Sequence, residues 1–224
     1  MVDERVVQGR EQARPVEINS VIRNTYMLLS LTLLFSGVTA AVSMVINPPM
    51  ATGLICSIVA LGLLWFVLPR TAQSSAGLGV IFLITGMLGF GLGPMLNYYV
   101  TGLANGGQLI MTALGGTGVI FLGLSAYAFT TRKDFSFMGG FLFVGILVAF
   151  LFGIGALIFQ MPGMMLGISA MFILLMSGLI LYQTSAIIHG GETNYIMATI
   201  GLYIALYNMF TSLLHLLMAF AGER

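Results

Sequence analysis

From Asn24 to Thr131 the chain carries one charged residue, Arg70, and from Phe135 to Gly222 it carries one more, Glu192. Everything else in these stretches is apolar, small or neutral-polar. A charged side chain at the centre of a bilayer costs roughly 2.5–3.5 kcal/mol on insertion scales, so this depletion is the mark of segments that sit in lipid. The composition agrees: 58% of residues are hydrophobic and 7% charged, against about 25% charged in soluble domains. The net charge of +1 argues against a nucleic-acid partner. Cys56 is the only cysteine, which excludes an intrachain disulfide; in its apolar run it reads as a buried, inert thiol.

A helix crosses roughly 30 Å of hydrocarbon in about 20 residues. Seven apolar runs meet that length, at about 25–46, 51–68, 76–96, 109–129, 137–159, 165–188 and 195–220. Turn signals separate them: Asn47-Pro48-Pro49, Pro69-Arg70, Gly93-Pro94 with Asn97, Asn105-Gly106-Gly107, Met161-Pro162-Gly163 and Gly190-Gly191. The expected fold is an all-α bundle of seven transmembrane helices over residues 21–224; six spans with one re-entrant run is the alternative. Residues 1–20 are polar and mixed in charge, with Pro15 among them, and are expected to form a flexible tail. The acidic residues in this segment, and its length before the first apolar run, argue against a cleaved signal peptide. Arg5, Arg10, Arg14 and Arg23 precede the first run, Arg70 follows the second, and Arg132 with Lys133 follow the fourth. The intervening loops at 47–50, 97–108 and 160–164 have no Lys or Arg. The positive-inside rule therefore places the N-terminal tail in the cytoplasm, and seven spans place the C-terminus outside it.

Within the spans the 29 glycines point to close helix packing. Gly89-x-x-x-Gly93, Gly115-Gly116-x-Gly118 and Gly139-Gly140 are the expected contact points. Gly89-x-Gly91-x-Gly93 is not a nucleotide loop, because no strand precedes it and no basic residue is near. The 16 methionines read as adaptable packing residues. In the last run Tyr203, Tyr207, Thr211 and His215 recur every fourth residue, with Asn208 and Ser212 beside them. Such a polar face belongs inside a bundle, since lipid offers it no partners. It is a candidate polar path, in which His215 is either a titrating group or a neutral imidazole bonded to a neighbour. One histidine does not make a metal site, and no spacing pairs a nucleophile with a base. No catalytic residue, metal or cofactor is expected.

The segment Leu181-Tyr182-Gln183-Thr184-Ser185-Ala186-Ile187-Ile188-His189-Gly190-Gly191-Glu192-Thr193-Asn194-Tyr195-Ile196 resembles the signature of the Bax inhibitor-1 family, in its bacterial YccA branch. The similarity continues through Leu202–Phe210, and appears earlier in Arg23-Asn24-Thr25-Tyr26, Leu28–Leu33, Gly93-Pro94 and Thr130–Asp134. The motif residues are Tyr182, Gln183, Thr184, Gly190, Gly191, Glu192, Asn194 and Tyr195. The resemblance implies a seven-helix bundle with the last helix central. It further implies an inner-membrane modulator of the ATP-dependent membrane protease FtsH, both inhibitor and poor substrate, engaged through the N-terminal tail with Arg5, Arg10 and Arg14 as candidate contacts. Some family members are pH-sensitive calcium leaks governed by two aspartates, and a cation leak is the alternative reading. The matching positions here are Gln183 and Ala205. An amide facing a methyl cannot share a proton as two carboxylates can, so that mechanism does not carry over. Glu192 is expected to support the start of the last helix through its dipole, or else to meet a partner, and Thr193 or Asn194 to cap that helix.

Overall fold

The computed structural model describes the backbone of residues 4–222 and the side chains of residues 18–221 other than Leu157 and Pro162. The chain is helical throughout, with no strand among the described residues. Seven helices are long and apolar enough to cross a membrane, as the hydropathy pattern predicts. They are α1 (Glu4–Ile46), α2 (Ala51–Thr71), α3 (Ser75–Gly102), α4 (Gly106–Thr131), α5 (Gly139–Ile158), α6 (Pro162–Ile188) and α7 (Tyr195–Gly222). In α1 the stretch that qualifies as a membrane span is Ile18–Ile46, so Glu4 to Glu17, within the expected tail, prolong the first helix. The side chains of Arg5, Arg10 and Arg14 lie outside the described residues.

The helix ends follow the turn chemistry. Asn47 closes α1 with φ 50° and donates its N–H to Ser43 O at 2.9 Å, a left-handed cap followed by two prolines that cannot continue the helix. Arg132 closes α4 in the same conformation, with φ 48°. Pro162 starts α6 at a position where its missing N–H is not needed.

Two prolines lie inside helices, one just before the end of α2 at Thr71, as the Pro69-Arg70 signal predicts, and one well before the end of α3. α3 runs through Pro94 to Gly102, about six residues past the expected end near residue 96. Inside a bundle, neighbouring helices offset the hydrogen bond a proline removes, and Pro94 is buried. α2 passes Pro69 by widening into a π turn over Leu63–Val67 immediately before it. The looser turn removes the clash of the proline ring with the carbonyl four residues back.

α3 is clasped between α1 and α2 on glycines. A Cβ at Gly89 would lie 2.2 Å from Ser36 O, one at Gly93 2.2 Å from Ser43 Oγ, and one at Gly53 of α2 2.8 Å from Gly91 O. At Gly89 and Gly53 the neighbour is backbone and at Gly93 it is foremost the Ser43 side chain, all approaches that glycine permits. The other expected glycine contacts differ. Gly115, Gly118 and Gly140 have no neighbour within 4 Å, Gly116 meets only Leu213, and Gly139 faces the Tyr182 ring. Sequence spacing does not say which face of a helix meets another helix and which meets lipid. α7 packs against α6, α4, α1 and α3, while α5 packs chiefly against α6. Accordingly α5 exposes Phe141, Phe143, Phe150 and Phe152, the composition of a lipid-facing surface.

Candidate functional site at the motif end of the bundle

The family-like segment forms the end of α6, the loop 189–194 and the start of α7. Gly190 takes φ 73°, and Ala186 O receives the N–H groups of Gly191 (2.8 Å) and Glu192 (3.1 Å). This closes the last turn of α6, and the left-handed residue it needs is most easily glycine. Asn194 then starts α7: its Oδ1 accepts from Ile196 N at 2.9 Å and Met197 N at 3.2 Å. Of the two expected caps, Asn194 is the one that acts. Its Nδ2 donates to Ala72 O at 2.9 Å, tying this loop to the one between α2 and α3. Glu192 Oε1 accepts from Asn194 N at 2.8 Å, so this carboxylate supports the start of α7 as expected. Between the two loops lies an open cleft of about 550 Å³, lined by Gln73, Ser74, Ser75, Thr193, Asn194 and Tyr195 among others.

The loop between α4 and α5 joins the same end. Phe135 N donates to Ser185 Oγ at 3.0 Å, and Ser185 Oγ donates to Lys133 O at 3.1 Å. His189 Nε2 lies 3.1 Å from Arg132 O. Asp134 Oδ1 accepts from Ser136 N at 2.8 Å. That backbone hydrogen bond, with a smaller contribution from His189, holds the exposed Asp134 carboxyl below its ordinary range. The α2–α3, α4–α5 and α6–α7 loops, the first two with basic flanks, thus meet at one end, joined by side-chain to backbone bonds.

Deeper in the bundle are the polar residues of α7 and their partners. Tyr203 is buried, and its hydroxyl donates to Thr85 O at 3.2 Å, so Ser36 Oγ, 2.6 Å away, is the donor in the second bond. This one phenol joins α7, α3 and α1. Tyr207 stacks on it with ring centroids 6.3 Å apart. Asn208 and Thr211 turn back to carbonyls of their own helix, Ile204 O and Tyr207 O. His215 is exposed on the outside of the described bundle. The candidate path is therefore brought together at Tyr203 and Tyr207 and not at His215. Gln183 lies against Gly201, where a Cβ would meet its Nε2 at 2.6 Å, and Ala205 is fully buried one turn further along α7. Thr184, fully buried, donates to the Tyr26 hydroxyl at 3.5 Å, which donates in turn to Ser125 Oγ at 3.1 Å. Ser36 and Ser125 escaped the sequence reading because single hydroxyls in apolar helices follow no period, and Tyr26 stood out there only within the family-like segment Arg23-Asn24-Thr25-Tyr26. Among the described residues, no three His, Cys, Asp or Glu side chains are grouped to hold a metal.

Residues 18–222 match the family model described as inhibitor of apoptosis-promoting Bax1. The chain belongs to the Bax inhibitor-1 family. It is 47% identical to the modulator of FtsH protease YccA of Escherichia coli K12 over 216 residues, 96% of this chain and 97% of that protein. A protein of E. coli O6:H1, 47% identical over the same coverage, bears the name inner membrane protein YccA. An uncharacterized protein of Pseudomonas aeruginosa is 48% identical over 207 residues, 92% of each chain. In this member of the Bax inhibitor-1 family Gln183 and Ala205, the two positions expected to answer to the aspartate pair, are an amide packed on glycine and a buried methyl.

Proposed function

We propose that the chain is a modulator of the FtsH protease in the bacterial inner membrane, a multi-pass protein that restrains the protease and is itself a poor substrate. The observation that carries this is the 47% identity, over 96% of the chain, to a protein of that name. In this reading the N-terminus and the three joined loops face the cytoplasm, the C-terminus faces the periplasm, and α7 is the centre of the bundle. The basic residues Arg70, Arg132 and Lys133 at that end support the orientation. The N-terminal residues, with Arg5, Arg10 and Arg14, are the handle the protease takes, because an ATP-driven protease pulls on a free end. The glycine-locked contact of α1 with α3 then resists extraction just beyond that handle. A carboxylate-gated cation leak is not supported, since Gln183 and Ala205 have no acid to titrate. Copurification from mild detergent, with the full chain and with residues 1–20 deleted, tests the proposal. FtsH should be recovered with the full chain and lost or reduced with the truncated one. Recovery of no protease with either would refute it.

A further inference from the structure

The outer face of α2 changes chemistry in order along its length. Ile55, Ile58 and Leu61 are exposed aliphatic residues, Trp65 and Phe66 follow with 73% and 64% of their surfaces exposed, and Arg70 is exposed at the end. Spacings of three and four residues put these positions along one side of the helix. α2 packs on α3, and this side is turned away from the bundle. Gly62, about one turn from both Ile58 and Phe66, has nothing within 4 Å of its Cβ position, which leaves a notch between the aliphatic and the aromatic part. Arg70 is the one charged residue of the span Ala51–Thr71. Its Nη1 donates to Phe66 O, which folds the side chain back toward the π turn that carries both rings. That is its only bond among the described residues. A guanidinium has five N–H donors, so most are left for an acceptor outside the protein. The described carboxylates are engaged elsewhere, Asp134 with Ser136 N and Glu192 with Asn194 N.

We propose that this face of α2 binds an anionic phospholipid, with Arg70 on the phosphate, Trp65 and Phe66 at the depth of the glycerol esters, and an acyl chain in the notch at Gly62. The spacing fits. At 1.5 Å per residue Arg70 stands about 7.5 Å beyond Trp65 along the helix, and one headgroup layer of a bilayer is roughly 5–7.5 Å deep. A guanidinium pairs its N–H groups with phosphate oxygens in a planar fork. Indole rings gather at the boundary between headgroups and hydrocarbon, where the ring is in an apolar layer and its N–H meets a polar one. The aliphatic residues below the rings face the acyl chains. Each part of the lipid thus meets its own chemistry on one side of one helix. A free phosphate would use Arg70 and leave the rings and the notch without a role, and a neutral lipid would leave the guanidinium without a counter-charge. This site rests on α2 alone and holds whether or not the protease proposal does.

Trp65 is the only tryptophan in the chain, so tryptophan fluorescence reports on this site alone. The test reconstitutes the full chain in vesicles of phosphatidylglycerol and phosphatidylcholine in equal parts, with quenching bromines on the acyl chains of one lipid or of the other. One basic residue at the membrane surface favours an anionic lipid by about fivefold. Quenching should therefore give a preference of about fivefold for phosphatidylglycerol beside Trp65 in the wild type, a value near one in Arg70→Gln, and a retained preference in Arg70→Lys, which keeps the charge. A wild-type value near one overturns the proposal by itself, whether or not the variants fold. An unchanged preference in Arg70→Gln overturns it equally.

Discussion

Replacing Gly89 by alanine tests the packing of the bundle most sharply. The added Cβ would lie 2.2 Å from Ser36 O, 2.5 Å from Thr39 Oγ1 and 2.6 Å from Ser36 Oγ. A methyl carbon and an oxygen sit at about 3.3 Å in ordinary van der Waals contact, so α1 and α3 must separate locally by about 1 Å. The nearest obstacle is backbone, which cannot rotate away as a side chain can. Overpacking of this kind costs about 1–3 kcal/mol. The separation also pulls Ser36 from Tyr203, a bond of 2.6 Å that contributes about 1 kcal/mol. The sum is about 2–4 kcal/mol, offset in part by the better helix propensity of alanine, about 1 kcal/mol. A net loss of about 1–3 kcal/mol is expected. Gly115→Ala is the control, because nothing lies within 4 Å of its Cβ position; it should be neutral or slightly stabilising. Reversible unfolding in mixed micelles, with both variants compared to wild type, measures the difference. Equal stabilities for the two variants would refute the reasoning that Gly89 is a backbone contact and Gly115 a lipid-facing position.

Other substitutions probe the remaining contacts. Tyr203→Phe removes the bonds to Ser36 and Thr85 O and should lower stability by about 1–2 kcal/mol, measured in the same unfolding assay; no loss would mean these bonds are not made. Asn194→Ala deletes the cap of α7 and the tie to Ala72, and should cost about 1 kcal/mol and speed amide exchange in residues 72–75 as well as at the start of α7. Exchange changing only in α7 would contradict the link between loops. The Asp134 carboxyl is held below its ordinary range, so its folded pKa is lower than its unfolded one. Its stabilising effect is thus present above the ordinary carboxylate value, about 4, and is lost as pH falls through the depressed folded value. A carboxyl NMR titration should place its midpoint below that of a free aspartate, and Asp134→Asn should weaken only stability measured above about pH 4.

How far the sequence could be read depends on what kind of information each feature needs. The seven spans were legible because absence of charge over about 20 residues is a strong one-dimensional signal, and the caps at Asn47 and Gly190 follow from local chemistry. The length of α3 was not, because Pro94 is a helix breaker only when nothing around it makes good the lost bond. Glycine spacing pointed rightly to Gly89 and Gly93 and wrongly to Gly115 and Gly118, since both sets look alike until the neighbouring helix is in place. The stripe on α7 was visible as a period of four, yet it did not reveal that Tyr203 reaches two other helices while Asn208 and Thr211 bond within their own. The contact of His189 with the α4–α5 loop was not legible, because its partner, Arg132 O, is a carbonyl such as every residue has and lies 57 residues away.

The most direct test of the proposed function is the degradation rate of a membrane substrate by purified FtsH in proteoliposomes, with and without this chain present. The account predicts slower substrate loss as the chain is added, with the chain itself degraded more slowly than the substrate. Unchanged substrate loss at saturating amounts of the folded chain would contradict it.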